Sequence, residues 1–261
     1  MRILVVGDAM LDEFVLCGPG TSSGGLPILL ERERIIRPGG AAGVACVAQS
    51  LGAEVRLFAS LADAEPVITR VRCDGQPEIR IDSAGALRQG ACPVRDDILH
   101  ADAVILADYA KGALDTAERQ RVIRLCDTLG VPCVVGAARG VDWSEYAGAT
   151  AISATQGEAR AAGYPSVPPA IYCLTADREG LRLVRGGESH RAAYRVEEVD
   201  PLGCGDSVVA ALAIGLAERM PLDTLSRFAA AVGACQAGRG PGTQPVSRAE
   251  AEALLRQPVS A

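Results

Sequence analysis

Asp200-Pro201-Leu202-Gly203-Cys204-Gly205-Asp206-Ser207 runs directly into the apolar, alanine-rich stretch Val208-Val209-Ala210-Ala211-Leu212-Ala213-Ile214. That pattern predicts a glycine-rich turn opening onto a buried helix. Glycines at 203 and 205 let the backbone approach a ligand closely, and the first amides of a helix have no partner within it. Partial positive charge at that end suits an anion such as a phosphate. Asp206 stands at the mouth, where a carboxylate can take a proton from a hydroxyl that attacks the phosphate. The same residues also fit a plain tight turn closed by an Asp N-cap.

Two further places could bear chemistry. Asp12 follows the apolar run Arg2–Val6, and ligands of open α/β sheets bind at the carboxyl ends of strands. Arg37-Pro38-Gly39-Gly40 leads into a small-residue segment read as a buried helix, so Gly39 and Gly40 form a second candidate site for an anion or a hydroxyl. Asp102 and Asp108 are not a catalytic pair, because one precedes a strand and the other ends it. Cys204 could hold a thiolate at a helix N-terminus, but no histidine lies near it in sequence, and it reads as a small filler.

Composition excludes several classes. The chain has 261 residues, a net charge of -6 and Lys111 as its sole lysine, with no basic stripe for nucleic acid. Nine cysteines include no C-x-x-C pair, and the two histidines, His100 and His190, make a zinc site improbable. Cys46, Cys126, Cys133 and Cys235 sit in apolar runs and read as small buried hydrophobes. No run approaches the ~20 apolar residues that span a bilayer, and Met1–Asp8 reads as a buried strand rather than a leader. A soluble, cytoplasmic protein is expected.

The elements that must position these residues alternate between strand and helix. Strands are expected at Arg2–Val6, Glu54–Ser60, Ala103–Asp108, Val131–Val135, Thr150–Ser153, Ile171–Thr175 and Gly180–Val184. Helices are expected at 41–51 with Gly52 as cap, Thr116–Leu129 with Gly130 as cap, Pro201–Glu218 including its turn, Thr224–Ala237, and Ser247–Leu255 with a capping box to Glu250. This predicts an α/β fold, a doubly wound, mostly parallel sheet flanked by helices. Residues 13–36 and 67–82 fall outside the rhythm. Leu26–Leu30 and Arg34–Ile36 read as short strands, and Asp74-Gly75 as the turn of a hairpin beside them. Together they make a small β lid on one domain spanning 1–261. His190 and Arg191 read as a solvated loop, and Pro165–Pro169 as a Pro-rich one.

With these pieces placed, the chain resembles the ribokinase-like, PfkB-type sugar kinases, and among them the heptose-7-phosphate kinase domain of bacterial ADP-heptose synthesis. The matching stretches are Val6–Asp12, Arg37–Ala42, Ala107–Leu114, Gly203–Asp206 and Gly240–Thr243, in the family's order along almost the whole chain. The resemblance implies ATP-dependent phosphorylation of a sugar or sugar phosphate, with magnesium bridging the phosphates. It implies Asp206 as the base, Gly203, Cys204 and Gly205 as the anion hole, and Asp12, Gly39 and Gly40 as sugar contacts. Glu158 would place the magnesium through water, Gly242 and Thr243 would lie against the adenine, and Lys111 would meet a substrate phosphate. Family members often pair lids between subunits, so a homodimer is expected.

The chain also departs from the family. Gly43 stands for an expected Asn, Thr155 lies near another, Ala137-Ala138-Arg139-Gly140 replaces Asp-Pro-Lys-Gly, and Leu202 replaces a Thr. Against the family pattern a helix and strand are expected to be missing between Asp63 and Val67, and a helix between Arg160 and Ile171. These losses motivate an alternative, a non-catalytic descendant that binds a sugar phosphate or nucleotide, or serves as a partner subunit. A dinucleotide oxidoreductase is disfavoured, since no G-x-G-x-x-G follows the first strand.

Overall fold

The computed structural model describes residues 1–21, 28–59, 67–83, 92–163 and 171–258. From the N-terminus run β1 (Arg2–Gly7), β2 (Ala9–Pro19), β3 (Leu29–Gly39), α1 (Gly40–Ser50) and β4 (Glu54–Ala59). There follow β5 (Val67–Cys73), β6 (Ile79–Asp82), α2 (Arg95–Leu99), β7 (Ala103–Ala107), α3 (Thr116–Leu129) and β8 (Cys133–Gly136). The second half adds β9 (Ala151–Thr155), α4 (Gln156–Ala161), β10 (Ile171–Thr175), β11 (Leu181–Arg185) and β12 (Glu188–Ala192). Three helices close it: α5 (Cys204–Ala217), α6 (Leu222–Ala237) and α7 (Arg248–Leu255).

Among the described residues, eight strands form the main sheet in the order β12-β11-β10-β9-β8-β7-β1-β4. Every pairing from β4 to β10 is parallel, and β11 and β12 add an antiparallel edge. Because side chains alternate across a strand, β1 feeds two cores. Ile3 and Val5 pack with α1, α5 and α6 on one face, while Leu4 and Val6 pack with Ile98, Val122 and Ile123 on the other. The doubly wound α/β arrangement follows from that two-sided burial.

The smaller sheet has the order β3-β2-β5-β6. The hairpin expected around Asp74-Gly75 is there as β5 and β6, and β5 pairs in parallel with β2. The segment expected to hold two short strands instead ends in one long strand, Leu29–Gly39, paired antiparallel with β2 across a register shift at Leu16/Cys17. Glycine and serine in the sequence mark only the connection between β2 and β3, part of which (22–27) lies outside the described residues.

His190 and Arg191 are not in a loop. They belong to β12, an edge strand whose polar composition suits its exposure. Cys126 and Cys133 are buried as expected, but Cys46 and Cys235 are only partly so. The expected losses of structure between Asp63 and Val67, and the Pro165–Pro169 loop, lie outside the described residues. No helix among the described residues is long and apolar enough to cross a membrane.

Candidate active site

Helix α5 starts as the residue pattern predicts. Gly203 is its N-cap at φ +78°, a left-handed conformation that glycine adopts without strain. The first bond along the helix runs from the Ser207 amide to the Gly203 carbonyl at 2.9 Å. The Cys204 amide is taken by the Pro201 carbonyl at 3.3 Å, which leaves the amides of Gly205 and Asp206 at the open mouth. Of the three expected anion-hole positions, Cys204 therefore contributes its place in the turn rather than a free amide. Its thiol is pushed up to about 12 by burial and by Asp200, Glu198 and Asp206, so it is no thiolate nucleophile.

Two clefts meet at Asp206. The first, of about 470 Å³, is lined by Asp12, Arg37, Gly43, Gly203, Gln236, Gly242 and Thr243 among others. The second, of about 390 Å³, is lined by Arg80, Tyr109, Lys111, Arg139, Glu158 and Gly205. Asp206 belongs to both. The residues expected on the sugar and on the nucleotide are thus mixed: Asp12 shares a cleft with Gly242 and Thr243, and Lys111 shares the other with Glu158. Burial pushes the Asp206 carboxyl up to about 6, with Asp12 adding to the rise, while Tyr109 and Arg37 pull it down.

Asp12 lies on β2, not on β1. Burial raises its carboxyl against the pull of Arg37, Arg70 and Arg80. A Cβ on Gly39 would come 2.7 Å from the Asp12 carboxylate, so that close approach needs glycine. At Gly40 a Cβ would meet the Asp8 carbonyl at 2.2 Å, and the adjacent Ala41 amide already donates to that carbonyl at 2.8 Å. With its amide committed and a carboxylate alongside, the mouth of α1 suits a hydroxyl and disfavours an anion.

Lys111 is not a loose surface lysine. Its Nζ lies 3.1 Å from Asp82 Oδ2, and Arg80 holds the same carboxylate at 2.6 Å, which brings Asp82 down to about 2. Glu158 is engaged on both oxygens, by Arg139 Nε at 2.7 Å and by the Thr155 amide at 2.9 Å. Burial alone would raise its carboxyl, but Arg139 and Thr155 hold it below the usual range. Thr155 caps α4, so the residue standing near an expected Asn serves the helix that carries Glu158. Among the described residues no cluster of three His, Cys, Asp or Glu side chains could cage a metal. Glu158, with Arg139 on one oxygen, fits magnesium only at one remove, through water.

Sequence reasoning missed Tyr109 and Asp8. The Tyr109 hydroxyl donates to Asp206 Oδ1. Asp8, 1% exposed, accepts the amides of Tyr109 at 2.8 Å, Lys111 at 3.2 Å and Ala113 at 2.8 Å, and so pins the loop after β7. An Asp directly after a buried strand was the available signal, but its partners lie about a hundred residues away.

Known proteins resemble this chain in sequence and in fold. Residues 148–249 match the family described as pfkB family carbohydrate kinase. The chain is 30% identical over 314 residues to the bifunctional protein HldE of Methylobacillus flagellatus, covering 99% of this chain and 64% of that protein. It is 30% identical over 305 residues to the bifunctional protein HldE of Escherichia coli K12, covering 97% and 63%. The chain thus spans less than two thirds of the length of these curated relatives. Arabidopsis thaliana ribokinase, solved with ribose and ATP, superposes with a TM-score of 0.80 at 17% identity over 98% of this chain and 99% of that one. Phosphofructokinase-2 from Escherichia coli, in complex with substrates and products, gives 0.75 at 16% identity over 98% of each. A family match in its C-terminal part, relatives aligned along nearly the whole of this chain, and the shared fold together make the chain similar to the PfkB-type carbohydrate kinases, with a ribokinase-like architecture.

Proposed function

We propose that this protein transfers the terminal phosphoryl group of ATP to a hydroxyl of a sugar or sugar phosphate of the heptose-phosphate kind. The observation that carries the reading is Asp206 at the N-terminus of α5, on the wall common to both clefts. Its raised pKa still leaves it ionised near neutrality, as a general base requires. The amides of Gly205 and Asp206, with the turn at Gly203 and Cys204, offer fixed dipoles to the charge on the moving phosphoryl group. Loss of one such donor costs ~10²–10³ in rate. Asp12, with Gly39 and Gly40 beside it, would hold sugar hydroxyls. Lys111 and Arg80 would turn from Asp82 to a substrate phosphate, and Gly242 and Thr243 would lie along the nucleotide. Magnesium, arriving on the nucleotide, would neutralise phosphate charge with Glu158 reaching it through water. All of this is positioning and electrostatics, which suffices for phosphoryl transfer.

The smaller sheet would act as the lid over the acceptor. Leu30, Ile36, Ile79 and Ile81 are 57%, 57%, 53% and 55% exposed on its outer strands, and this supports a homodimer formed through the two lids, in the cytoplasm where ATP is at hand. Sedimentation giving a strict monomer at micromolar concentration contradicts that assembly.

A second reading rests on the Arg139–Glu158 pair, which occupies the carboxylate meant for magnesium. In it the chain binds a sugar phosphate or nucleotide without turnover, or serves as a partner subunit. Calorimetry separates the two: tight sugar-phosphate binding with no affinity for ATP and magnesium favours the second. ATP turnover that Asp206→Asn abolishes favours the first.

A further inference from the structure

The two oxygens of Asp206 have different surroundings. Oδ1 accepts the Tyr109 hydroxyl, which has one proton to give. Oδ2 faces Gly43, where a Cβ would stand 3.9 Å away. Tyr109 is itself held in place. Its amide donates to Asp8, the next amide donates to Asp108 Oδ1 at 2.9 Å, and its ring packs against the core shared by α1, α5 and α6. Ala110 takes up a left-handed φ of +54° to allow this, a strained conformation for a residue with a side chain. The loop is thus fixed by buried carboxylates at both ends of the Tyr109 backbone.

We infer that Tyr109 is the positioning residue of the base: its hydroxyl locks the Asp206 carboxylate in one orientation, shields Oδ1 on the side of the second cleft, and leaves Oδ2 to receive the acceptor hydroxyl from the Gly43 side. The inference rests on the kinase reading for its catalytic meaning. The hydrogen bond and its effect on Asp206 do not depend on that reading. A donated hydrogen bond favours the ionised carboxylate, so the tyrosine keeps the buried base available in neutral solution. Burial and the neighbouring Asp206 hold the Tyr109 hydroxyl protonated, which makes it a donor throughout the working range.

The test removes or strengthens this single donor. Protein carrying ¹³C-labelled aspartate is titrated by NMR, with the Asp206 signal assigned by its loss in Asp206→Asn. In Tyr109→Phe the Asp206 midpoint is expected to rise by about one pH unit. In protein made with 3-fluorotyrosine, a stronger donor at the same place, it is expected to fall. If an acceptor is turned over, Tyr109→Phe lowers kcat by ~10-fold near pH 6, shifts the acid limb of the profile upward and leaves the KM for ATP within about twofold. Midpoints that coincide in wild type, Tyr109→Phe and fluorotyrosine protein overturn the inference. Should Tyr109→Phe fail to fold, the fluorotyrosine titration decides alone. Absence of turnover by the wild type sinks the kinase reading and leaves the titration to judge Tyr109.

Discussion

Arg72 on β5 of the smaller sheet and Asp200 at the start of the turn into α5 form an ion pair across 128 residues of chain, with N–O distances of 2.9 and 3.3 Å. Asp200 is 3% exposed and also accepts the Leu202 amide at 3.1 Å, so one carboxylate ties the smaller sheet to the turn that opens α5. The Arg72 guanidinium stacks on Phe14 of β2, with its carbon 5.1 Å from the ring centroid, which carries the connection into the sheet that would close over the acceptor.

Removing Arg72 leaves a buried carboxylate without its partner. Arg72→Leu is expected to cost about 2 kcal/mol in urea unfolding, below the usual range for a buried pair because Arg72 is partly exposed. Turnover should fall with it, since the turn loses an anchor. An unchanged unfolding midpoint contradicts the link.

Asp206 carries a cost to stability. Its carboxyl sits at about 6 in the folded protein against 3.8 for an unperturbed aspartate, so folding favours the protonated form. The stability this lends is complete below the unfolded value and is lost as the pH rises through the folded one. Asp206→Asn is therefore expected to be more stable than wild type by on the order of 1–3 kcal/mol at about pH 8, with the difference shrinking toward pH 4. On the proposed reading activity runs the opposite way, because a general base works ionised, and kcat/KM should decline below about pH 6. Thermal unfolding of both proteins across that range checks the sign. A wild type more stable than Asp206→Asn at pH 8 contradicts it.

Gly43 leaves open the space in front of Asp206 Oδ2. Gly43→Ala places a methyl 3.2 Å from the Pro38 carbonyl and 3.9 Å from that oxygen, within a helix that otherwise welcomes alanine. The KM for the acceptor should rise severalfold while ATP affinity, read by calorimetry, stays within about twofold. Equal losses for both substrates would place the acceptor elsewhere.

Asp8 supports the site from below. Asp8→Ala abandons three backbone amides and should cost about 3 kcal/mol or more, with activity falling beyond what unfolding explains, because Tyr109 and Lys111 both lose their anchor. Hydrogen exchange at 109–113 measures this directly. Protection unchanged in the variant contradicts the role.

Much of the frame was legible in the residues because it rests on local rules. The buried runs at β1 and β7, the cap of α3 at Gly130, the Ser247–Glu250 capping box of α7 and the Asp74-Gly75 hairpin turn each carry their signal within a few residues. The α5 turn was legible for the same reason, and so was the place of Asp206 in its first turn. Two short strands, Leu26–Leu30 and Arg34–Ile36, are expected where β3 runs unbroken from Leu29, because glycine and serine precede it, and His190 and Arg191 read as a loop because Glu188–Ala192 is an edge strand with little to bury. The working surroundings of Asp206 were harder to see. Tyr109, Asp8 and the Arg72–Asp200 pair act across roughly a hundred residues of chain, and no period or spacing announces a partner that far away.

The central claim is that Asp206 at the mouth of α5 takes a proton from a sugar hydroxyl as the phosphoryl group of ATP moves to it. The most direct measurement is ADP release from ATP and magnesium with a panel of heptose and hexose phosphates, for wild type and Asp206→Asn side by side. The account predicts turnover with at least one member, reduced ~10²–10⁴-fold in Asp206→Asn while calorimetry finds ATP still bound. No turnover with any acceptor, together with identical ligand binding in the two proteins, contradicts it.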